Sequence, residues 1–304
     1  MPRSSSLESS ATSDCSPTWA APSRWTRSVA IVNKYFWVFR VTLAERLTYR
    51  VDFLLTSIFR FLPLVTTVLL WGAIYQGSGR QELGGGSEGV AFTYREMIAY
   101  LLLVQVSRTF SSMPNLATGV AREIRDGSLK RYLIQPLDLV GYHLMHRLAH
   151  KLSYMMVAVV PYAAIFWLCR DFFEGWPPPE VIVAWVVSLG LALVLGYLIE
   201  LSVGLIAFWM LEITSILYIF MTINFFVSGH MLPLDLLPAG WSGLLKALPF
   251  SYLAYFPAAV FLGKVAAQEL PLGLAMGLAW IVVFWVLVRL LLGRGLRRYS
   301  AYGG

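Results

Sequence analysis

The sequence predicts an all-α polytopic membrane protein, and its composition and the clustering of its apolar residues lead to this fold class. Of its 304 residues, 58% are hydrophobic and 13% are charged, whereas soluble domains average about 45–50% and about 25%. The apolar residues cluster in runs near the length of about 20 residues that a helix needs to cross a bilayer. We therefore predict an N-terminal interfacial helix and six transmembrane helices, with short re-entrant half-helices before the last one.

The first 50 residues are predicted to lie outside the membrane. Residues 1–27 are rich in Ser, Pro, Ala and Thr and lack the apolar core of a signal peptide, so we expect a disordered cytoplasmic tail. Residues 28–50 combine an apolar face around Tyr35 with basic residues such as Lys34 and Arg40. This pattern is typical of an amphipathic helix in the plane of the membrane interface, and we favour that interpretation over a plain cytoplasmic helix.

The six-span domain is predicted over residues 51–298. Its spans are Val51–Tyr75, Glu96–Met113, Leu152–Cys169, Val181–Met210, Ser215–Val227 and Leu272–Leu292. The fifth span is short for a crossing, and a tight turn near Glu212 separates it from the fourth. Lys and Arg concentrate in the segments that this topology places on one side. We predict a multi-pass protein of the bacterial inner membrane, and the positive-inside rule predicts that both of its termini lie in the cytoplasm.

Three ionisable residues, Arg60, Arg108 and Glu200, fall inside the predicted spans. Charged residues at membrane depth are costly and usually have a partner or a function. Arg108 lies near the end of its span, where it can snorkel. We expect Glu200 to line a transport path or to form a structural pair with Arg60 or Arg108. The small residues Gly190 and Gly196 in the same span are expected to permit close helix packing.

Several function classes find no support in the sequence. It contains no P-loop, no G-x-S-x-G nucleophile elbow and no H-E-x-x-H motif. The two cysteines, Cys15 and Cys169, are poorly placed to pair. We therefore expect no cofactor or metal on this chain. The basic residues lie between apolar spans, which indicates contact with lipid headgroups and not with nucleic acid.

One alternative function rests on His143, His146 and His150, which recur at helical spacing. Three histidines can bind zinc, and an intramembrane lipid-modifying enzyme would use these histidines or Glu200. A basic amphipathic segment at the headgroups explains the same spacing, and we favour that interpretation. A secondary transporter is a third class, but the two halves of the sequence lack the similarity that an internal repeat would give.

The segment Asn115–Asp138, with the sequence NLATGVAREIRDGSLKRYLIQPLD, is the most informative. Its first part predicts a helix over Ala117–Asp126, which Gly127 would end. A short charged helix followed by an apolar patch is suited to dock in a groove of a soluble partner. From spacing alone, an ordinary solvated loop fits this segment equally well.

Two stretches resemble the ABC-2 permease family, in particular its small six-span members. One is EIRDGSLKRYLIQPLD within that segment, and the other is FVSGHMLPLDLLPAGWSGLLKALPFSYL over Phe226–Leu253. With the interfacial helix and the six spans, the resemblance extends over nearly all of Ser28–Arg298. It implies an exporter subunit that works with a second permease chain, identical or different, among membrane lipids. A separate ATPase subunit would bind ATP and Mg²⁺.

The resemblance also implies two kinds of site. The cytoplasmic segment 115–151 would contain the coupling helix, about Ala121–Gly127, which contacts the ATPase. The outer segment 228–271 would form a gate. The implied coupling residues are Arg122, Glu123, Arg125, Asp126, Gly127 and Leu129, and the implied gate residues are Gly229, Leu232, Pro233, Pro238 and Pro249. The substrate stays open among lipids, lipid-linked glycans, peptides and hydrophobic drugs, and the apolar, aromatic composition favours an amphipathic molecule over an ion.

Overall fold

The computed structural model describes residues 34–43, 62–84, 91–135, 137–173, 175–210 and 212–299. Its α-helices are α1 (Leu62–Ser78), α2 (Tyr94–Ser111), α3 (Leu116–Arg125), α4 (Lys130–Leu133), α5 (Leu139–Leu168), α6 (Pro179–Leu205), α7 (Thr214–Val227), α8 (Ala239–Ala247), α9 (Tyr255–Phe261) and α10 (Leu270–Arg298). Short 3₁₀ helices occupy Arg170–Phe172, Ile206–Phe208, Leu234–Leu236 and Pro249–Leu253, and β1 (Glu82–Leu83) pairs antiparallel with β2 (Phe92–Thr93). The predominantly helical class is confirmed.

Two helices among the described residues, Pro179–Phe208 and Leu270–Arg298, are long and apolar enough to cross a membrane. A third span results if the bent pair Leu139–Met156 and Ala158–Leu168, which meets at 53°, is counted as one. Pro161 accounts for this bend, because it cannot donate a hydrogen bond to the carbonyl four residues earlier. The other predicted spans fall on shorter helices or begin outside the described residues, so the number six stays a prediction.

Helix α5 begins at Leu139, well before the expected start of the third span at Leu152. Asp138 caps this helix, because its carboxylate accepts a hydrogen bond from the Gly141 N–H at 3.0 Å. The basic residues that follow therefore lie on a continuous helix. The segment 115–151, expected to contain one coupling helix in a polar connection, is largely helical.

The helical residues 34–43 lie against the start of α5. The Asp138 N–H donates to the Tyr35 hydroxyl at 3.2 Å, and Thr42 Oγ1 lies 3.3 Å from His146 Nδ1. These contacts fix the predicted interfacial helix to the chain beyond α4. The rest of that predicted helix and the N-terminal tail lie outside the described residues.

Helix α6 packs against α2, α3, α9 and α10. One buried cluster forms around α9 and the first half of α2, and it includes Tyr100 and Leu195. A second cluster forms around α3 and the C-terminal half of α6, and it includes Val120 and Leu201. Helix α6 therefore contributes to both cores, whereas the buried apolar residues of α2 belong to the first.

Two glycines of α6 allow backbones to touch. A Cβ at Gly196 would overlap the carbonyl oxygen of Ser111, and a Cβ at Gly204 would lie 3.0 Å from the Cα of Ala117. The close approach expected at Gly196 is therefore confirmed. At Gly190 the same expectation is wrong, because a Cβ there would meet none of the described atoms within 4 Å.

The turn after α7 reaches the middle of α2. The Tyr100 hydroxyl donates to the Gly229 carbonyl at 2.5 Å, and Arg108 Nη1 lies 2.9 Å from His230 Nε2. Tyr100 and Arg108 lie on either side of the midpoint of α2, and their spacing corresponds to about 12 Å along the helix. Gly229 and His230 therefore lie beside the centre of α2, not beyond its end.

Candidate functional site

Helix α3 is amphipathic and packs on α6. Its buried face consists of Leu116, Ala117, Val120, Ala121 and Ile124. Asn115 before the helix and Gly127 after it have φ values of 62° and 69°, in the left-handed region that ends regular helical structure. The structure thus places the helix within one residue of the predicted bounds, and Gly127 ends it as predicted.

The α2–α3 junction, residues 109–115, is held by two cations of α5. Its hydrogen bonds run from Lys151 Nζ to the carbonyls of Thr109 and Ser112, the latter at 2.5 Å, and from Arg147 to the carbonyls of Pro114 and Asn115 at 2.8 and 2.9 Å. Basic side chains stabilise the last carbonyls of a helix and its negative dipole end. The path of the chain from α2 into α3 is therefore fixed by α5.

Glu200 holds the same junction from the side of α6. Its carboxylate accepts a hydrogen bond from the Met113 N–H at 2.8 Å. Arg108 Nη1 lies 2.9 Å from His230 Nε2, and Arg60 lies outside the described residues, so the pairing of Glu200 with either arginine stays a prediction. Met113 lies beyond the end of α2, so its N–H has no acceptor within that helix and is satisfied by this carboxylate. Sequence spacing does not reveal this contact.

Glu123 faces inward from α3, with its side chain 16% exposed. The Tyr132 hydroxyl donates to its carboxylate at 3.1 Å, and Arg131 Nη2 lies 3.6 Å away. His143 Nε2 lies at 3.4 Å, an ion-pair distance without hydrogen-bond alignment. Burial opposes ionisation, but His143, Tyr132 and Arg131 outweigh it and hold the pKa of Glu123 below its usual value. Glu123 therefore joins α3 to α4 and α5.

The outward residues of this region form what we call the α3–α4 surface. It consists of Arg122, Arg125, Asp126, Lys130, Leu133 and Ile134. Ile134, at its tip, is 84% exposed, and Arg125 forms a 3.2 Å ion pair with Glu212 in the turn before α7. Of the expected coupling residues, Glu123, Gly127 and Leu129 are turned into the protein. The other three, Arg122, Arg125 and Asp126, face outward.

The outer segment 228–271 is held by a buried carboxylate that the sequence did not predict. Asp235, with its side chain 2% exposed, forms a 2.6 Å ion pair with Lys246. The Tyr255 hydroxyl donates to both of its oxygens at 3.0 and 2.8 Å. These three residues belong to three different short helices, so no pattern within one helix singled them out.

The expected gate residues begin or bend the short helices of this segment. Pro233 precedes the 3₁₀ helix Leu234–Leu236, Pro238 precedes α8, and Pro249 begins the 3₁₀ helix Pro249–Leu253. Proline suits these positions, because its fixed φ and missing N–H cost nothing at a helix start. Gly229, with φ of 76°, permits the turn after α7, and Leu232 is partly buried beside it. Short helices are confirmed here, and a gating role stays a prediction.

The three histidines of α5 do not converge. His143 faces Glu123, His146 lies beside Thr42, and His150 borders a small pocket together with Lys151. Among the described residues, no group of three or more His, Cys, Asp or Glu side chains could hold a metal ion. The geometry therefore does not support the zinc-dependent alternative.

A cavity of about 490 Å³ lies between α1, α2, α6, α7 and the turn after α7. Its polar lining includes Gln105, Arg108, Glu200, Asn224 and His230, and its apolar lining includes Leu101, Ile199, Phe220, Met221 and Phe225. Ligand pockets typically have volumes of about 300–1,000 Å³. Two of the three predicted intramembrane ionisable residues, Arg108 and Glu200, thus line one cavity.

A comparison with protein families identifies the family of the chain. A family model described as ABC-2 family transporter protein matches residues 61–303. No curated protein matches the chain. The matched region extends from α1 to the C-terminal end and includes α3, the outer segment and the cavity. The chain therefore belongs to the ABC-2 transporter family, as a multi-pass membrane permease subunit of an ABC transporter.

Proposed function

We propose that this chain is a permease of a bacterial ABC exporter, which pairs with a second permease chain and is driven by separate ATPase subunits that bind ATP and Mg²⁺. The observation that supports the proposal most is α3, which lies within the family match, is exposed on one side and is fixed to α2 and α6 on the other. We further propose six spans in the cytoplasmic membrane, with both termini inside, from the distribution of Lys and Arg.

The α3–α4 surface has the chemistry of a docking site for a soluble subunit. Its charged outer face and its apolar tip at Ile134 fit a groove between helices of a partner. Glu123 and Leu129 would contribute by holding this surface in place, because both are turned into the protein.

A movement of α3 would be passed on to α2 and α6. Lys151 and Arg147 tie the junction carbonyls to α5, and Gly204 brings α6 against the backbone of α3. Closure of the ATPases on ATP would therefore shift these helices together and change the shape of the cavity between them. The mixed lining of that cavity suits a lipid-like, amphipathic or peptide substrate.

Purification of the tagged full-length chain in mild detergent, with mass spectrometry of the proteins that accompany it, tests the proposal. We expect a P-loop ATPase to co-purify with the unmodified chain. Ile134→Asp places a charge at the apolar tip and should lower this recovery about tenfold, as the loss of a central interface contact does.

Trp176→Asp is the matched control. Trp176 is 89% exposed in the connection between α5 and α6, which the proposed topology places on the outer side. This variant should retain the ATPase in full. Absence of any ATPase from the unmodified preparation would contradict the exporter proposal, and equal recovery with both variants would contradict the docking surface.

A further inference from the structure

The charged residues that line the cavity have partners within the protein. Glu200 accepts a hydrogen bond from the Met113 N–H and has basic side chains of α5 nearby. Arg108 Nη1 lies 2.9 Å from His230 Nε2, and Arg108 has further interactions with the protein. Buried charges are stable only when they are paired or hydrogen-bonded, and here the protein supplies the partners itself. The lining therefore does not require a charged ligand.

Two carboxamide side chains of the lining, by contrast, lack partners. Asn224 of α7 lines the cavity, and its Oδ1 is buried without a hydrogen-bond partner among the described residues. Gln105 of α2 lines the same cavity and is 7% exposed, and its side-chain amide forms no hydrogen bond within the part of the chain that the structure describes. A buried polar group without a partner costs about 1–3 kcal/mol. It calls for an explanation, and a bound ligand is one.

The chemistry of a carboxamide indicates what such a ligand presents. The group is uncharged and combines an acceptor oxygen with an NH₂ that donates two hydrogen bonds. Neighbouring hydroxyl groups of a ligand match it, because they donate and accept along one edge. The N–H and C=O of a trans peptide bond, in comparison, point to opposite sides. Two carboxamides on different helices therefore suit a headgroup with several hydroxyl groups.

The cavity also has an apolar wall, which α7 supplies. Phe220, Met221 and Phe225 line it, and Met221 and Phe225 are 52% and 38% exposed. An alkyl chain gains about 0.8 kcal/mol for each CH₂ group that it buries. The carboxamides can thus select the headgroup while α7 accommodates the chain attached to it.

We propose that the cavity binds an amphiphile whose headgroup is uncharged and carries several hydroxyl groups, which rests on the proposed function and names its substrate class. Gln105 and Asn224 form hydrogen bonds with the hydroxyl groups from α2 and from α7. The alkyl chain lies along Phe220 and Met221. The ligand brings no charge into the cavity, so the contacts that Arg108 and Glu200 make with the protein are kept.

Native mass spectrometry of the full-length chain in a polyoxyethylene detergent tests this site with three probes that share a dodecyl chain. They are dodecyl glucoside, the tetrahydropyranyl ether of dodecanol, which has the ring without its hydroxyl groups, and dodecyl phosphate. Dodecyl glucoside should bind at least about tenfold more tightly than either, because only its hydroxyl groups pair both carboxamides. Equal affinity for the ether would overturn the role of the hydroxyl groups. Equal or tighter binding of dodecyl phosphate would overturn the uncharged headgroup.

Gln105→Met and Asn224→Leu each replace one carboxamide by an apolar group of similar size. Each should weaken dodecyl glucoside binding about 3- to 10-fold, as the loss of one or two hydrogen bonds does, and should not weaken binding of the ether. In the double variant the preference for the glucoside over the ether should disappear. The control Gln81→Leu changes an exposed amide before β1 and should have no effect. A preference that survives the double variant would overturn the proposal.

Thermal unfolding of the ligand-free variants separates recognition from a structural role. Because neither carboxamide has a hydrogen-bond partner among the described residues, both single variants should be as stable as the wild type or more stable. Lower stability with unchanged glucoside affinity would overturn the place of Gln105 and Asn224 in the site. If a variant does not fold, the three probes on the unmodified chain still decide the proposal. These affinities do not depend on an ATPase, so failed ATPase recovery with intact glucoside binding would sink only the proposed function, and the converse only the cavity.

Discussion

The two ends of α2 are held by different kinds of contact. At its C-terminal end, side chains bind backbone: Lys151 and Arg147 hold carbonyls, and Glu200 holds an N–H. Backbone also meets backbone there, at Gly196 and Ser111. The C-terminal end of α2 therefore cannot exchange these contacts without a movement of the helices around it.

At the N-terminal end of α2 and in the outer segment, ion pairs between side chains occur in addition to contacts with the backbone. Lys264 forms an ion pair with Glu96 in the first turn of α2. Asp235 is held by Lys246 and Tyr255. A side-chain pair can exchange partners when a rotamer changes, whereas a backbone contact changes only when a whole helix moves. We propose that this difference lets the junction at the C-terminal end of α2 transmit movement while the outer segment opens.

Gly196→Ala should have the largest effect, because its Cβ would overlap the Ser111 carbonyl and neither backbone can yield alone. We expect the free energy of unfolding in mixed micelles to fall by about 3 kcal/mol or more. Gly190→Ala, on the same helix with open space around it, should be neutral or slightly stabilising. Similar losses in both variants would show that the backbone contact is not what joins α2 and α6.

Lys151→Met should rank second, because it removes charge-assisted hydrogen bonds to the carbonyls of Thr109 and Ser112. We expect a loss of about 2–3 kcal/mol in the same unfolding measurement. ATPase activity in the reconstituted complex should also lose its response to substrate. The exposed Arg170→Met serves as the control. If Lys151→Met kept the stability of the wild type and the ATPase response to substrate, the α2–α3 junction would not be held rigidly by Lys151.

Asp235→Asn should cost less, about 1–2 kcal/mol, because Lys246 is 38% exposed and can turn to solvent when its partner is lost. ATPase recovery should stay unchanged, since the outer segment is remote from the α3–α4 surface. Loss of the ATPase with this variant, measured by the same co-purification, would remove the distinction between the two ends.

Glu123→Gln should have the smallest effect, about 1 kcal/mol at neutral pH, because Tyr132 can still donate to the amide oxygen. The pKa of Glu123 is lowered in the folded protein. Its stabilising contribution is therefore complete above its unfolded pKa of about 4.3 and is lost as pH falls through the lower folded value. Thermal unfolding from pH 7 to pH 3.5 should show wild type and variant converging at low pH; a constant difference would contradict this contribution.

Local sequence patterns predicted the bounds of α3 and the short helices of the outer segment. The left-handed glycine Gly127 and the prolines Pro233, Pro238 and Pro249 act on their own neighbours, so their effect is visible in sequence. The third span was predicted to start at Leu152, whereas its helix begins at Leu139, because Asp138 caps a helix that also contains the basic residues before the apolar run.

The sequence did not predict the contacts between residues that lie far apart in the chain. Arg289 of α10 donates from Nη1 and Nη2 to the two carboxylate oxygens of Asp138, at 2.5 and 2.9 Å. The two residues are 151 positions apart in the sequence. Glu200 accepts a hydrogen bond from the Met113 N–H, a contact that the sequence did not predict. An apolar segment predicts that a charged residue within it is buried. Which of several possible partners this residue contacts depends on how the helices pack.

The sequence by itself determined the membrane class, the family motifs, and the places where helices end, because hydrophobicity, proline and glycine act within a few residues along the chain. The tertiary structure alone decided which residues of α3 face outward, that backbone contacts fix the C-terminal end of α2, and that Arg108, Asn224 and His230 line one cavity. Those features arise where α2, α5, α6 and α7 meet, and the spacing of residues along one helix contains no information about the neighbouring helix that it touches.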